Sequence, residues 1–377
     1  MARLAPSAPP RSVAIVLLSA IGDVVRGMPV ATSLRRAWPE ARIHWCIQPA
    51  AHALVAPHPA VDAFHVLDRR RGARGLAGLR AGLAGESFDV ALGLQTYLKA
   101  GLVLGLLPAR RKIGFDRARA RDAQWLFARE RIPARPPVHV QDQYFEFLEH
   151  LGVPPVPAWE FAFSEAERAA ARAFFGRLDR PALAVVLRTT RRVKDWPLER
   201  WARLLEIAES DLGLRPVVVG SGAEAERAAA REVVARTRAR PRVELAWDLR
   251  RLAWLLDGAA AVVAPDTGPY HVAVALGTPS VGLFGATDPK RVGPWGRFEH
   301  LVVDAFTRPG ETDPTPGMRP GNMERIGVDQ VAEALERALR TPRAGSVAGG
   351  GPAGPARPAG PARSGRPDAV GPPPPGL

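Results

Sequence analysis

Short, almost wholly apolar runs alternate along the chain with longer stretches of helical period. The runs fall at residues 13–18, 43–47, 64–67, 90–94, 184–187, 217–219, 262–264 and 280–284, with helical patterns at 24–37, 141–151, 249–256 and 328–340. Strands exposed on one face would alternate apolar and polar positions. These do not, as expected of parallel strands covered on both faces by helices. The alternation of strand and helix predicts an α/β protein built on two doubly wound sheets.

Pro154-Pro155-Val156-Pro157 cannot continue the helix before it. It predicts a linker at 154–158 between an N-terminal Rossmann-like domain at 1–153 and a C-terminal one at 159–327. Residues 307–320 read as loop and 328–340 as a terminal amphipathic helix. The Pro/Gly/Ala-rich stretch 341–377 reads as a disordered tail that cannot build a core.

The formal charge of +14 comes from an unusual pool in which only Lys99, Lys112, Lys194 and Lys290 are lysine and every other basic residue is arginine. A basic surface attracts phosphates and anionic lipid headgroups. No aromatic-interleaved basic stripe or nucleic-acid motif accompanies the charge, so no nucleic-acid partner is expected. Cys46 stands alone, which excludes an internal disulfide, and no Cys/His cluster has zinc spacing, so a cytoplasmic location is expected. The run at 13–18 is too short for a signal sequence, and nothing approaches the roughly 18 apolar residues of a membrane-spanning helix. His44, Met28 and Cys46 read as core filling.

Three segments can carry chemistry, each where an apolar strand gives way to a helix, beyond the strand ends where α/β sheets bind ligands. The first is Ser19-Ala20-Ile21-Gly22-Asp23. It is not a dinucleotide fingerprint, and Asp23 either caps the following helix or performs chemistry at its N-terminus. In the second, Arg188-Thr189-Thr190-Arg191-Arg192-Val193-Lys194-Asp195-Trp196-Pro197, Thr189, Thr190 and Lys194 can converge on a diphosphate; the alternative is a solvated basic loop. The third is Ala264-Pro265-Asp266-Thr267-Gly268-Pro269-Tyr270-His271, followed by Phe284-Gly285-Ala286-Thr287-Asp288-Pro289. Thr267, Gly268 and the N–H groups after them can cradle phosphate, His271 lies one turn into the helix, and Asp266 can orient Lys194 or a sugar. Gly220-Ser221-Gly222-Ala223-Glu224 can bring Glu224 to a ribose or be simple punctuation. Residues 117–131 read as a solvated helix that can face an acidic acceptor.

Taken together and in this order, these segments resemble glycosyltransferase family 9, the ADP-heptose:lipopolysaccharide heptosyltransferases, over about residues 12–340. Gly22-Asp23 with Pro29 is similar to the family's glycine–aspartate turn, 189–197 to its Thr-Thr…Lys-x-Trp-Pro segment, and 266–271 with 285–289 to its Asp-Thr/Ser-Gly…His…Gly-x-Thr-Asp-Pro signature. Asn322-Met323-Glu324-Arg325-Ile326 resembles the closing Cys-Met-x-x-Ile segment, with Asn322 where a cysteine often stands.

The resemblance implies a GT-B fold, two Rossmann-like domains facing a cleft. The acceptor would bind mainly to the N-terminal domain and the nucleotide sugar to the C-terminal one. It also implies metal-independent, inverting transfer without a cofactor, from ADP-heptose to a lipopolysaccharide-core or related glycan at the cytoplasmic membrane face. Asp23 would be the general base and Lys194 the cation on departing ADP. Thr189, Thr190, Thr267 and Gly268 would hold phosphate, Glu224 the ribose and Trp247 the base, while Arg117, Arg119 and Arg121 are acceptor-side candidates. Membrane contact would be peripheral and weakened by salt. Two alternatives keep the fold: a transferase using another nucleotide sugar, and a catalytically silent nucleotide- or glycan-binding protein.

Overall fold

The computed structural model describes residues 9–246 and 248–344. The N-terminal sheet comprises β1 (Ser12–Val16), β2 (Arg42–Ile47), β3 (Ala63–Val66), β4 (Phe88–Gly93), β5 (Ala109–Gly114) and β6 (Glu130–Arg131). They are all parallel, in the order β3-β2-β1-β4-β5-β6. The C-terminal sheet repeats that topology with β7 (Ala182–Val185), β8 (Arg215–Gly220), β9 (Arg242–Leu245), β10 (Ala261–Pro265), β11 (Ser280–Phe284) and β12 (Val302–Asp304), ordered β12-β11-β10-β7-β8-β9. In each sheet the strand order reverses between the two central strands, β1/β4 and β7/β10, and the crevice beyond their C-terminal ends is where such folds bind ligands.

The helices are α1 (Ile21–Ala37), α2 (Pro49–Val55), α3 (Ala73–Gly82), α4 (Leu98–Leu106), α5 (Val140–Leu151), α6 (Glu165–Phe175), α7 (Leu198–Ser210), α8 (Glu224–Arg236), α9 (Leu249–Gly258), α10 (Gly268–Ala275), α11 (Pro289–Val292) and α12 (Val328–Arg340). No helix or strand lies between α5 and α6. The apolar run at 13–18 is explained by burial on both faces: Val13, Ile15 and Leu17 join one core, Ala14, Val16 and Leu18 another shared with Leu79 of α3 and Val103 of α4. The two domains form the GT-B arrangement and touch where α1 meets α10. Trp295 reinforces the contact by donating to Asp142 Oδ1 of α5 at 2.9 Å.

Four strands escape the apolar pattern. β5 is charged because Arg111 forms a two-pronged pair, 2.6 and 2.9 Å, with Glu130 of its neighbour β6. β6, β9 and β12 are at or near sheet edges and carry polar or partly exposed residues. Residues 117–131 do not form the expected helix. Asp122 and Ala123 take the left-handed φ values of 51° and 60°, which interrupt helical hydrogen bonding. A short 3-10 helix, Gln124–Phe127, follows, and Phe127 closes against α4, where a Cβ on Gly101 or Gly105 would lie 2.8 or 2.7 Å from its ring.

The stretch assigned to a tail begins attached to the body: Arg343 Nη2 meets Asp257 Oδ1 at 2.8 Å, and Ala344 N donates to Gly277 O at 3.0 Å. The rest of that stretch, 345–377, lies outside the described residues.

Candidate active site between the two domains

Asp23 occupies the first turn of α1, directly after β1 and its short loop. Its Oδ2 accepts from Ala20 N at 3.3 Å and its Oδ1 lies 3.5 Å from Arg26 Nη1, yet 37% of the side chain remains exposed toward the interdomain space. The preceding turn is held from the far side of the strand-order reversal. Gln95, just beyond β4, accepts from Leu18 N at 2.9 Å and donates to Ser19 O, while Lys99 of α4 donates to Ser19 Oγ at 2.8 Å. Desolvation raises the Asp23 carboxyl above its ordinary pKa, and the more distant Asp266 charge adds to the rise against the pull of Arg26, Ala20 N–H and Lys99.

Opposite it, the turn after β10 presents Asp266 at the centre of a cluster. Lys194 Nζ donates to Asp266 Oδ2 at 2.5 Å, Thr287 Oγ1 to the same oxygen at 2.8 Å, and His271 Nε2 lies 2.9 Å from Oδ1. Desolvation opposes ionisation of Asp266, but the hydrogen bond to His271 and the charge and bond of Lys194 hold its pKa well below the ordinary carboxylate value. Burial, Arg26 and Lys194 push His271 down to about 4 against the pull of Asp266, so the imidazole is neutral near pH 7. A neutral ring can donate from Nε2 to Asp266 and leave Nδ1, 3.3 Å from Arg26 Nη2, to accept from the guanidinium, which also donates to Val292 O at 2.6 Å.

Gly22 is required at this crossing, because a Cβ there would stand 2.7 Å from His271 Cδ2; a Cβ on Gly268 would meet Ile21 Cβ at 3.0 Å. Two helix N-termini, those of α1 and α10, thus converge on the interdomain space, each with the partial positive charge of its unpaired N–H groups. Thr267 caps α10 by accepting from Tyr270 N at 3.3 Å.

The loop after β7 is organised by the shielded carboxylate of Asp195, which accepts from Thr189 N at 2.8 Å and Arg188 Nη1 at 2.9 Å. This fold-back turns Lys194 to Asp266 and buries Trp196, whose Nε1 donates to Ile326 O at 2.9 Å. Thr189 Oγ1 donates to Arg191 O at 2.6 Å, whereas Thr190 is exposed. The Gly285 segment packs under the site: its Thr287 reaches Asp266, its Asp288 caps α11 by accepting from Lys290 N, and Gly285 N donates to Met323 Sδ at 3.2 Å.

The structure thus brings together Gly22, Asp23, Lys194, Asp266, Thr267, Gly268 and His271. Glu224 points outward, 2.7 Å from Arg231 Nη2; the carboxylate that fastens the Ser221–Gly222 turn is Glu226, accepting from Ser221 Oγ at 2.8 Å and Gly222 N at 2.7 Å. Arg117 and Arg121 are exposed over Trp125 and Tyr97, whereas Arg119 is committed to Asp116 and Glu146. Trp247 lies outside the described residues. Sequence reasoning did not single out Arg26, Gln95, Lys99, Asp195 or Glu226. The partner of each is supplied by the fold. Among the described residues, no group of three or more His, Cys, Asp or Glu is placed to hold a metal ion.

The sequence profile of glycosyltransferase family 9 (heptosyltransferase) matches residues 77–309. The chain belongs to this family. Relatives include the lipopolysaccharide core heptosyltransferase OpsX of Haemophilus influenzae, 29% identical over 78% of this chain and 84% of the relative. Lipopolysaccharide heptosyltransferase 1 of Pseudomonas aeruginosa is 30% identical over the same shares. The structure of the E. coli heptosyltransferase WaaC with ADP superposes with a TM-score of 0.68 at 25% identity, covering 87% of this chain and 99% of that one. The family 9 chain is therefore a glycosyltransferase, and the three segments its sequence makes conspicuous meet in one interdomain site.

Proposed function

We propose that the protein transfers heptose from ADP-heptose to a lipopolysaccharide-core glycan, with inversion and without a metal. The observation that carries this reading is the opposition of Asp23 to the Lys194–Asp266–His271 cluster. A carboxylate whose pKa burial raises is the better proton acceptor, and a fixed ammonium facing it can meet negative charge. The ADP-bound relative and the lipopolysaccharide names of the sequence relatives support this donor and acceptor class.

In the reaction, Asp23 removes the proton of an acceptor hydroxyl as that oxygen attacks the anomeric carbon. The carbon–oxygen bond to the diphosphate breaks and its electron pair leaves with ADP. Lys194, anchored by Asp266, and the N–H groups at Thr267 and Gly268 stabilise the developing charge, with Thr189 and Thr190 on the phosphates. Asp266 and Thr287 hold the ammonium in place, which limits reorganisation in the transition state. One displacement inverts the anomeric centre. Glu224 would reach the ribose and Trp247 the base, and Arg117 and Arg121 would face the acceptor's anionic groups. Catalysis takes place at the cytoplasmic face of the inner membrane through peripheral contact; among the described residues no helix is long and apolar enough to cross a membrane.

Acceptor-dependent release of ADP from ADP-heptose, persisting in EDTA, with the anomeric configuration of the product read by NMR, tests the proposal. The expected product has the configuration opposite to that of the donor. Retention, or no release with any core acceptor, would refute it.

A further inference from the structure

α4 is apolar on both sides, although one side faces outward. Its inner side buries Ala100, Val103 and Leu104. Its outer side carries Leu98, Leu102 and Leu106, four residues apart and hence in one stripe, which are 39%, 45% and 38% exposed. Leu126, 63% exposed, extends this surface from the 3-10 helix Gln124–Phe127 packed on α4, and half-exposed Tyr97 extends it at the other end. The one charge in α4, Lys99, turns inward to Ser19. A helix apolar all round belongs in a core or against a membrane.

Cations ring the stripe. Arg117 and Arg131 lie 4.6 and 5.6 Å from the ring centroid of Trp125, and Arg121 lies 5.9 Å from that of Tyr97. Lys112 donates to Gly105 O at 2.7 Å at the end of α4, with Arg129 close enough to repel it. Among the described residues Arg117, Arg121, Arg129 and Arg131 form no ion pair, in contrast to surface arginines such as Arg135, Arg172 and Arg231, each held by a glutamate. A second copy docked through this face would set its cations against like cations, because a twofold interface is self-complementary. An anionic lipid surface offers apolar depth to the leucines and phosphates to the arginines.

We infer that this face of the N-terminal domain docks the protein on an anionic bilayer, with Leu98, Leu102, Leu106 and Leu126 entering the headgroup–acyl boundary. The inference rests on the proposed catalysis at the membrane face through peripheral contact and names the surface that meets the membrane. The position of the face suits such docking. Lys99 of α4 bonds the turn that carries Asp23, and Arg121 N donates to Thr96 O at 2.7 Å, so the docked face adjoins the acceptor side of the site.

The test is co-sedimentation of the full-length chain with phosphatidylglycerol/phosphatidylethanolamine vesicles and with phosphatidylcholine vesicles. Binding is expected to the anionic vesicles, weakening as salt rises. Leu102→Glu combined with Leu126→Glu should lower partitioning about tenfold or more, and Arg129→Glu should give a smaller loss that disappears at high salt. Thermal stabilisation by ADP should be unchanged in the variants, which verifies their folding. Equal partitioning of the leucine double variant, no vesicle binding by the wild type, or a solution dimer that the same substitutions split would overturn the inference. Transfer to a detergent-dispersed acceptor is measured separately. Vesicle binding without transfer would defeat the functional proposal alone, and transfer without vesicle binding would defeat the docking surface alone.

Discussion

Asp23 and Asp266 stand beyond the central strands of two sheets with the same strand order, one on each side of the interdomain space, in opposite electrostatic states. Asp266 is buried and has Lys194, Thr287 and His271 as partners, which hold it ionised. Asp23 has one long bond from Ala20 N and a loose contact with Arg26, and its ionised form is disfavoured by burial. The same topological opportunity has thus been used twice, once for a fixed charge that positions a cation and once for a carboxylate free to exchange a proton. The difference lies in the number of partners each carboxylate keeps.

The strongest way to break this comparison is to neutralise each carboxylate in turn. Asp266→Asn should destabilise the protein by about 3–5 kcal/mol, because it leaves a largely buried lysine without its counter-charge. Asp23→Asn should leave stability unchanged or raise it. Denaturant unfolding of both variants decides the matter, and an equal loss in the two would erase the distinction. Lys194→Met should next reduce turnover about 10²–10³-fold while the protein stays folded, the range for loss of one preorganised transition-state donor. Single-turnover rates at saturating donor measure this.

A third, smaller effect concerns pH. His271 is held at about 4 in the native state against 6.5 when unperturbed. As pH falls from about 6.5 toward 4 the unfolded chain therefore takes up a proton that the native state refuses, and stability drops. The stability advantage of the wild type over His271→Asn should shrink across that window, as read from urea midpoints; an advantage that grows would reverse the sign of the argument. The smallest contrast separates two glutamates of α8. Glu226→Gln should loosen the Ser221–Gly222 turn by about 1–2 kcal/mol, the usual loss when a charge-assisted hydrogen bond goes. Glu224→Gln should change stability by less than about 0.5 kcal/mol, and any rise in donor KM it causes would report the ribose contact.

The fold's centre was legible because strands buried on both faces leave uninterrupted apolar runs, as at β1, β10 and β11. β5 was not, since its Arg111 is matched by Glu130 on a strand too short to have a pattern of its own, and its Arg110 by Asp89 of β4. The helix expected at 117–131 failed because left-handed backbone at Asp122 and Ala123 overrides composition. In the site, residues clustered in turns after strands stood out, whereas Gln95, Lys99 and Arg26 act from other elements across the strand-order reversal or the domain boundary. Glu226 rather than Glu224 fastens the glycine turn because the helix start turns the earlier carboxylate toward Arg231.

The most direct test of the proposed division of labour is the chemical step itself, followed by rapid quench with ADP-heptose bound and core acceptor in excess, for the wild type and Asp23→Asn. The proposal predicts acceptor-dependent ADP release by the wild type, a loss of about 10²-fold or more in Asp23→Asn, and unchanged thermal stabilisation of both proteins by ADP. Release at the wild-type rate by Asp23→Asn would contradict it.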